Sequence, residues 1–420
     1  MSPLRRWLIM ACLSLSGGFI YLIPFLREVY YIPLQQALDI NNTQLGVLMG
    51  VFGTTSLITY FPGGWLADRC SARNLITFSM LATGFTGLYF AAFPSYTMSV
   101  ALHAFWGVTC SLTFWSAMIK ATRNWAPPEE QGRAFGILES GRGIAEVAGS
   151  TAFLAVFAWL GSGKLALSWV VILLSVSNLA CGVMAWFVLE DSAQQVREPT
   201  RERIGLQQVL TVLRMPVVWQ ISIVILTAYA AYWGSFYFTP YATDVFLMSV
   251  VFGGAIGVGK MWIKPLAALA AGFLADRVGI SKTVVWCFVV SIVSFTVFVL
   301  TPGSPDLVAL LMVNTAIASL AIFALRGIYY ALLEEGGIPV AVTGTAAGVV
   351  SVFGFTPDVF MPLLGGVLLD SYPGGTGYRY FFGFIVVLSI VGLLSALAIQ
   401  RTSSSSLRST GAPGSEGEHS

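Results

Sequence analysis

The stretch GGWLADRCSAR (63–73) has a second copy, AGFLADRVGISK (271–282), and GGWLADR and AGFLADR lie 208 positions apart. Each copy closes an apolar run with the pair Asp-Arg. A weaker match sets RAFGILESGRGIAEV (133–147) over VTGTAAGVVSVFGFTPDV (342–359) at an offset of 212, pairing Gly136 with Gly348 and Glu146 with Asp358. Two nearly equal offsets in one chain point to a duplicated unit, the signature of membrane proteins built from repeats.

Composition agrees. The chain has 420 residues, 56% hydrophobic and only 10% charged, with a mean hydropathy of +0.79, whereas a soluble domain carries about 25% charged residues. Working outward from the repeated loops, apolar runs long enough to cross about 30 Å of hydrocarbon fall near 7–28, 43–66, 74–94, 97–120, 133–160, 166–189, 216–243, 249–274, 283–302, 306–332, 343–370 and 379–399. The fold expected is an all-α integral membrane protein, with twelve transmembrane helices in two pseudo-symmetric six-helix bundles. The bundles would span 1–189 and 216–400, joined by a cytoplasmic linker at 190–215 and followed by a disordered Ser- and Gly-rich tail at 401–420. The first run follows MSPLRRW and lacks a small-residue cleavage site, so it reads as an uncleaved span.

Orientation follows from Lys and Arg in the short loops. One side collects Arg5, Arg6, Arg69, Arg73, Arg123, Arg133, Arg197, Arg201, Arg203, Arg214, Arg277, Lys282, Arg401 and Arg408; the other has Arg27, Lys164 and Arg379. Both termini are thereby expected in the cytoplasm, and the membrane expected is a bacterial inner membrane.

The residues of the opening stretch resemble those of the major facilitator superfamily. Gly64, Asp68, Arg69 and Arg73 fit its G-x-x-x-D-R-x-x-x-R loop between the second and third spans, with Ser71 where the family usually has Gly. Gly272, Asp276, Arg277, Gly279 and Lys282 give the equivalent loop between the eighth and ninth. More narrowly, GGFIYLIPFLREVYYIPLQ (17–35), GVTCSLTFWSAMIK (107–120) and QGRAFGILESGRG (131–143) resemble the YihN-like bacterial permeases. The resemblance implies alternating access around a midplane cavity, with Gly64, Asp68, Arg69, Arg73, Gly272, Asp276 and Arg277 acting as a conformational latch. A plainer reading makes those charges topology signals only.

The candidate site is read from charges placed in the membrane. If the fifth span starts at Arg133, Glu139, Arg142 and Glu146 lie about 9, 14 and 20 Å along it. Their i,i+3 and i,i+4 spacing puts them on one face, where Arg142 can pair with either acid. Each charge costs about 2.5–3.5 kcal/mol at a helix centre, so the trio must face the protein interior. Lys260 and Lys264 lie one turn apart in the eighth span, Arg326 lies in the tenth, and Asp358 follows Pro357 in the eleventh. Counted together, Arg142, Lys260, Lys264 and Arg326 outnumber Glu139, Glu146 and Asp358, and two lysines at i,i+4 call for an anion near them. The plainer reading is a network of internal pairs. Lys120 sits near a helix end and is discounted, since it can snorkel.

Arg142, Lys260, Lys264 and Arg326 are therefore the expected substrate-binding cations. Glu146 and Asp358, at matching places in the two halves, are candidates to carry a proton, and Glu139 is the expected static partner of Arg142. In TAYAAYWGSFYFTPY, Tyr229, Tyr232 and Trp233 either pack in the core or stack on substrate. Gly17 and Gly18 read as helix-packing positions.

Other chemistries are disfavoured. The cysteines, Cys12, Cys70, Cys110, Cys181 and Cys287, are scattered and, with His103 and His419, form no metal-ligand pattern. There is no G-x-x-x-x-G-K-[ST] loop for a nucleotide, no basic stripe for nucleic acid, and no spaced nucleophile, base and orienting group. A monomer without cofactor is expected, in contact with the lipid bilayer, a small-molecule substrate and protons. The favoured function is proton-coupled symport of a small organic anion. Efflux of lipophilic compounds, or a transporter-like sensor that binds without flux, are the alternatives.

Overall fold

The computed structural model describes residues 3–127, 130–190, 206–339 and 342–410. Its helices form twelve membrane-length segments, six on each side of the linker. Seven of them, among the described residues, are long and apolar enough to span a membrane when taken singly. The first and fourth fall short because they are broken, and the fifth (Gln131–Trp159) because it carries Glu139, Arg142 and Glu146 in mid-span.

Several breaks sit where the sequence forces them. The first segment is helical over Pro3–Phe19 and again over Arg27–Leu38, with turns between, and Pro24 lies in those turns. The fourth, Tyr96–Val108 continuing to Ser116–Trp125, contains a π-helical stretch at Thr109–Trp115, a widening that recurs at functional sites. The eleventh is split between Thr343–Gly354 and Pro357–Ser371, with Pro357 starting the second piece as a proline best can.

Three expectations are corrected. The first segment does not end at 28 but continues to Leu38. Arg27, assigned to an outer loop, is instead 1% exposed inside the protein. Removing it from the loop count leaves the Lys/Arg asymmetry pointing the same way. The last helix runs from Gly375 to Thr410, past the expected start of the tail at 401. The remaining tail with His419, and the linker residues Arg197, Arg201 and Arg203, lie outside the described residues.

The halves meet along two seams. The second segment (Asn42–Arg69) packs on Pro357–Ser371, where Gly46, Gly50 and Gly53 let the backbones of Pro362, Val359 and Asp358 approach. The eighth (Val250–Val278) packs on Arg27–Leu38 and on the fifth, with Gly254 against Val29 and Gly257 against Glu28. Small residues permit such contacts between membrane helices. One end of the seam is tied by Asp370, which accepts hydrogen bonds from Asn42 N (3.1 Å), Asn42 Nδ2 (2.8 Å), Thr43 N (2.7 Å) and Thr43 Oγ1 (2.6 Å). These donors open the second segment, where backbone N–H groups otherwise lack partners.

Toward the other end the halves part. Gly64, Gly136, Gly272 and Gly348 have nothing within 4 Å of a would-be Cβ. Asp68, Arg69, Asp276 and Arg277 are exposed. Arg69 lies over Trp65 of its own segment, 3.9 Å from the ring centre, and Arg73 over Trp186 of the sixth, at 4.6 Å. The molecule is thus closed at the Asn42–Asp370 end and splayed at the Asp68–Asp276 end.

Candidate functional site

Between the halves lies a cavity of about 360 Å³, within the size range of small-molecule sites. Its first wall is the fifth segment, whose i,i+3 and i,i+4 spacing presents Glu139, Arg142 and Glu146 together. Arg142 Nη1 donates to Glu139 Oε1 at 2.6 Å, and its guanidinium lies 5.1 Å from the ring centre of Trp115, which the π-helical stretch carries. Gly17 makes the arrangement possible: a Cβ there would stand 2.7 Å from Arg142 Cδ.

The eighth segment supplies the two lysines, which face different surroundings. Lys264 lines the cavity and its Nζ reaches Glu146 Oε2 at 3.3 Å across the seam; the side chains are 43% and 28% exposed. Lys260 is sealed behind the wall. It pairs with Glu28 at 2.8 Å, donates to Ser235 O and Oγ at 3.0 and 3.1 Å, and lies 4.3 Å from the ring centre of Phe236.

The second half completes the site. Arg326 sits 3.8 Å from the ring centre of Tyr232 and 5.3 Å from that of Tyr229. Asp358 accepts from Trp233 Nε1 at 2.8 Å and from Tyr229 OH at 3.3 Å. Tyr229 therefore touches both the arginine and the carboxylate. Tyr229, Tyr232, Arg326 and Asp358 all line the cavity. Trp233, 1% exposed, stands behind it and orients Asp358.

Three readings of the sequence change here. Lys260 and Trp233 belong to the wall's support and not to its surface. The inferred need of Lys260 and Lys264 for an outside anion is met internally by Glu28 and Glu146. The apparent excess of cations omitted Glu28, which also lines the cavity. The signal for Glu28 and Arg27 was present: the apolar run continues as VYYIPL after them, so the REV triplet is interior and not an end. Lys120 turns away from the cavity and caps the second segment, donating to Ala67 O at 2.6 Å and Cys70 O at 3.3 Å, as a cation near a helix C-terminus does.

After these pairings the electrostatics are simple. Arg142, Lys264 and Lys260 each have a carboxylate within 4.0 Å. Among the described residues, Arg326 is the cavity-lining cation without one, and its guanidinium keeps donors for a planar anion.

Comparisons with known proteins agree with this architecture. The chain is 29% identical over 406 residues to the inner membrane protein YihN of Escherichia coli, covering 95% of this chain and 96% of that one. It is 30% identical over 388 residues to the E. coli inner membrane protein YqcE, covering 89% and 90%. The crystal structure of a bacterial homolog of the human lysosomal transporter Spinster, inward-facing and occupied, superposes with a TM-score of 0.76 at 14% identity, over 96% of this chain and 98% of that one. The Major Facilitator Superfamily model matches residues 6–355, and with twelve segments in two halves around a shared cavity, the chain belongs to the Major Facilitator Superfamily of membrane transporters.

Proposed function

We propose that this transporter is a proton-coupled symporter that carries a small organic anion across a bacterial inner membrane by alternating access. The observation that carries the reading is Arg326: a cation on the cavity wall, cradled by Tyr229 and Tyr232, with no carboxylate within 4.0 Å among the described residues. A carboxylate, phosphate or sulfonate on the substrate satisfies it, and the two tyrosines stack on the substrate's body. Lys264 and Arg142 provide second contacts.

Coupling follows from the half-exposed Lys264–Glu146 pair. An incoming anion takes Lys264 and frees Glu146, the candidate proton carrier on this half. Asp358, held by two neutral donors on the opposite half, is the matching carrier. Glu139 holds Arg142 in place. Lys260 and Trp233 serve as positioning residues, and the Asp68 and Asp276 loops latch the now-splayed end when it closes.

The loop charges support cytoplasmic termini, which makes the splayed end the cytoplasmic one. The pairing of both halves within one chain supports a working monomer. Two weaker relatives support an anionic cargo: the probable nitrate/nitrite antiporter NarK1 of Thermus thermophilus, 25% identical over 289 residues, and the probable galactarate/D-glucarate transporter GudP of Bacillus subtilis, 25% identical over 161.

The test is thermal stabilisation of the purified protein by gluconate, phosphate and ethanesulfonate against glucose and tetraphenylphosphonium. A ligand at 100 times its dissociation constant adds about 2.7 kcal/mol. Stabilisation by anions alone, lost in Arg326→Gln, supports the reading. Stabilisation by tetraphenylphosphonium alone would replace it with efflux of lipophilic cations.

A further inference from the structure

Arg27 is a fully buried cation that takes no part in the cavity. Its guanidinium lies between two rings, 4.8 Å from the centre of Tyr31 and 5.1 Å from that of Tyr237, and the residue is 1% exposed. None of Nε, Nη1 and Nη2 meets an acceptor at full hydrogen-bond distance and angle, the phenol oxygen of Tyr237 lying alongside as a weak one, and no carboxylate of the described residues forms an ion pair with it. The two phenols donate their protons within the seam, Tyr31 to Asn42 Oδ1 and Tyr237 to the carbonyl of Pro362, each at 3.0 Å, so they offer the guanidinium ring faces and neutral oxygens but no counter-charge. Asn42 in turn donates to Asp370.

The placement is informative. Arg27 and Tyr31 belong to the first half, and Tyr237 with Pro362 and Asp370 to the second. The guanidinium is stored in the seam, among the groups that separate when the closed end opens. A guanidinium has five donors and is costly to bury without acceptors. A site buried throughout the cycle would be served better by Met or Leu. Arg27 suits a site buried for only part of it. Once Tyr31 and Tyr237 part, it faces the mouth of the opened end as a cation with no carboxylate to neutralise it. Its surroundings match those of Arg326: an arginine on a pair of tyrosines, one ion pair short.

We propose that Arg27 is a second anion-binding site on the transport path. It takes a carboxylate, phosphate or sulfonate when the Asn42–Asp370 end is open, and is stored between Tyr31 and Tyr237 when that end is closed. Two positions along one path then hold the same class of ligand in the two conformations. Only the identification of that ligand with the transported cargo rests on the reading given under Proposed function.

The test uses full-length protein with the native cysteines replaced, carrying Tyr31→Cys as a reporter beside Arg27. Labelling rates are compared for an anionic thiol reagent, sulfonatoethyl methanethiosulfonate, and a cationic one, trimethylammonioethyl methanethiosulfonate. With Arg27 present the anionic reagent is favoured, and Arg27→Gln lowers the anionic-to-cationic rate ratio about tenfold, as a unit charge some 6 Å away in water acts oppositely on the two. Arg27→Lys retains the preference. An unchanged ratio, or a reporter thiol that neither reagent reaches, overturns the proposal. As a folding control without the reporter, Arg27→Met melts at or above the parent protein. A fall of about 4 °C or more would show that Arg27 is a structural clamp and would also overturn it. The outcomes separate the two readings. Anion stabilisation through Arg326 with an unchanged labelling ratio removes Arg27 alone. A lowered ratio without stabilisation by any anion keeps the Arg27 site and removes the cavity reading.

Discussion

Lys260 Nζ lies 2.8 Å from Glu28 Oε1, with the two side chains 0% and 8% exposed. The pair ties the eighth segment to the first, one from each half, and Ser235 satisfies two further donors of the ammonium. A cation that in isolation would demand an external anion therefore finds its counter-ion inside the protein. The demand for a ligand passes to Arg326.

Breaking this pair on one side leaves a buried charge uncompensated. Glu28→Gln or Lys260→Met alone costs about 3–5 kcal/mol, whereas the double variant Glu28→Leu/Lys260→Met recovers most of it. Unfolding midpoints in a double-mutant cycle measure the coupling. Additive losses would show that the contact contributes nothing.

Arg326→Gln weakens anion binding about tenfold or more, the scale of one hydrogen bond to a charged group. Arg142→Ala has a smaller effect, because Glu139 already neutralises that guanidinium at 2.6 Å. Calorimetric titration of the two variants with the stabilising anion decides the order. Equal losses would mean that the Glu139 pair opens on binding.

Asp358→Asn keeps an acceptor for Trp233 Nε1, offers Tyr229 an amide donor in place of the second oxygen, and cannot release a proton. Proteoliposomes containing it lose accumulation driven by a proton gradient and keep exchange of labelled for unlabelled substrate. Wild-type uptake rises as the pH on the substrate side falls, and the variant's does not. If accumulation persists in Asp358→Asn and is lost in Glu146→Gln, Glu146 is the carrier.

Gly53→Val puts a Cβ 2.6 Å from the backbone oxygen of Asp358, closer than van der Waals contact allows, with further bulk beyond it. The seam then cannot close at the Asn42–Asp370 end, and the population shifts toward the conformation open there. Spin labels at Asp39 and Tyr372 move apart and labels at Asp68 and Asp276 move together. Unchanged distances would mean that the helices slide to accommodate the side chain.

The twelve-segment fold and its duplication were legible in GGWLADR and AGFLADR and in the spacing of apolar runs, because crossing hydrocarbon sets segment length locally and satisfies every backbone group within one helix. The sequence by itself also determined that Glu139, Arg142 and Glu146 share a face, since 3.6-residue periodicity suffices for that. Only the tertiary structure decided which charge meets which. Arg27 and Glu28, adjacent and opposite in sign, have the local pattern of a span's end, yet the first segment continues past them to Leu38. Lys260 and Lys264, one turn apart, differ because the packing of the eighth segment on the first seals one against Glu28 and leaves the other beside Glu146 at the cavity. The physical reason is one of range: helix formation and burial in lipid depend on near neighbours in the chain, whereas the partner of a buried charge depends on where distant segments cross.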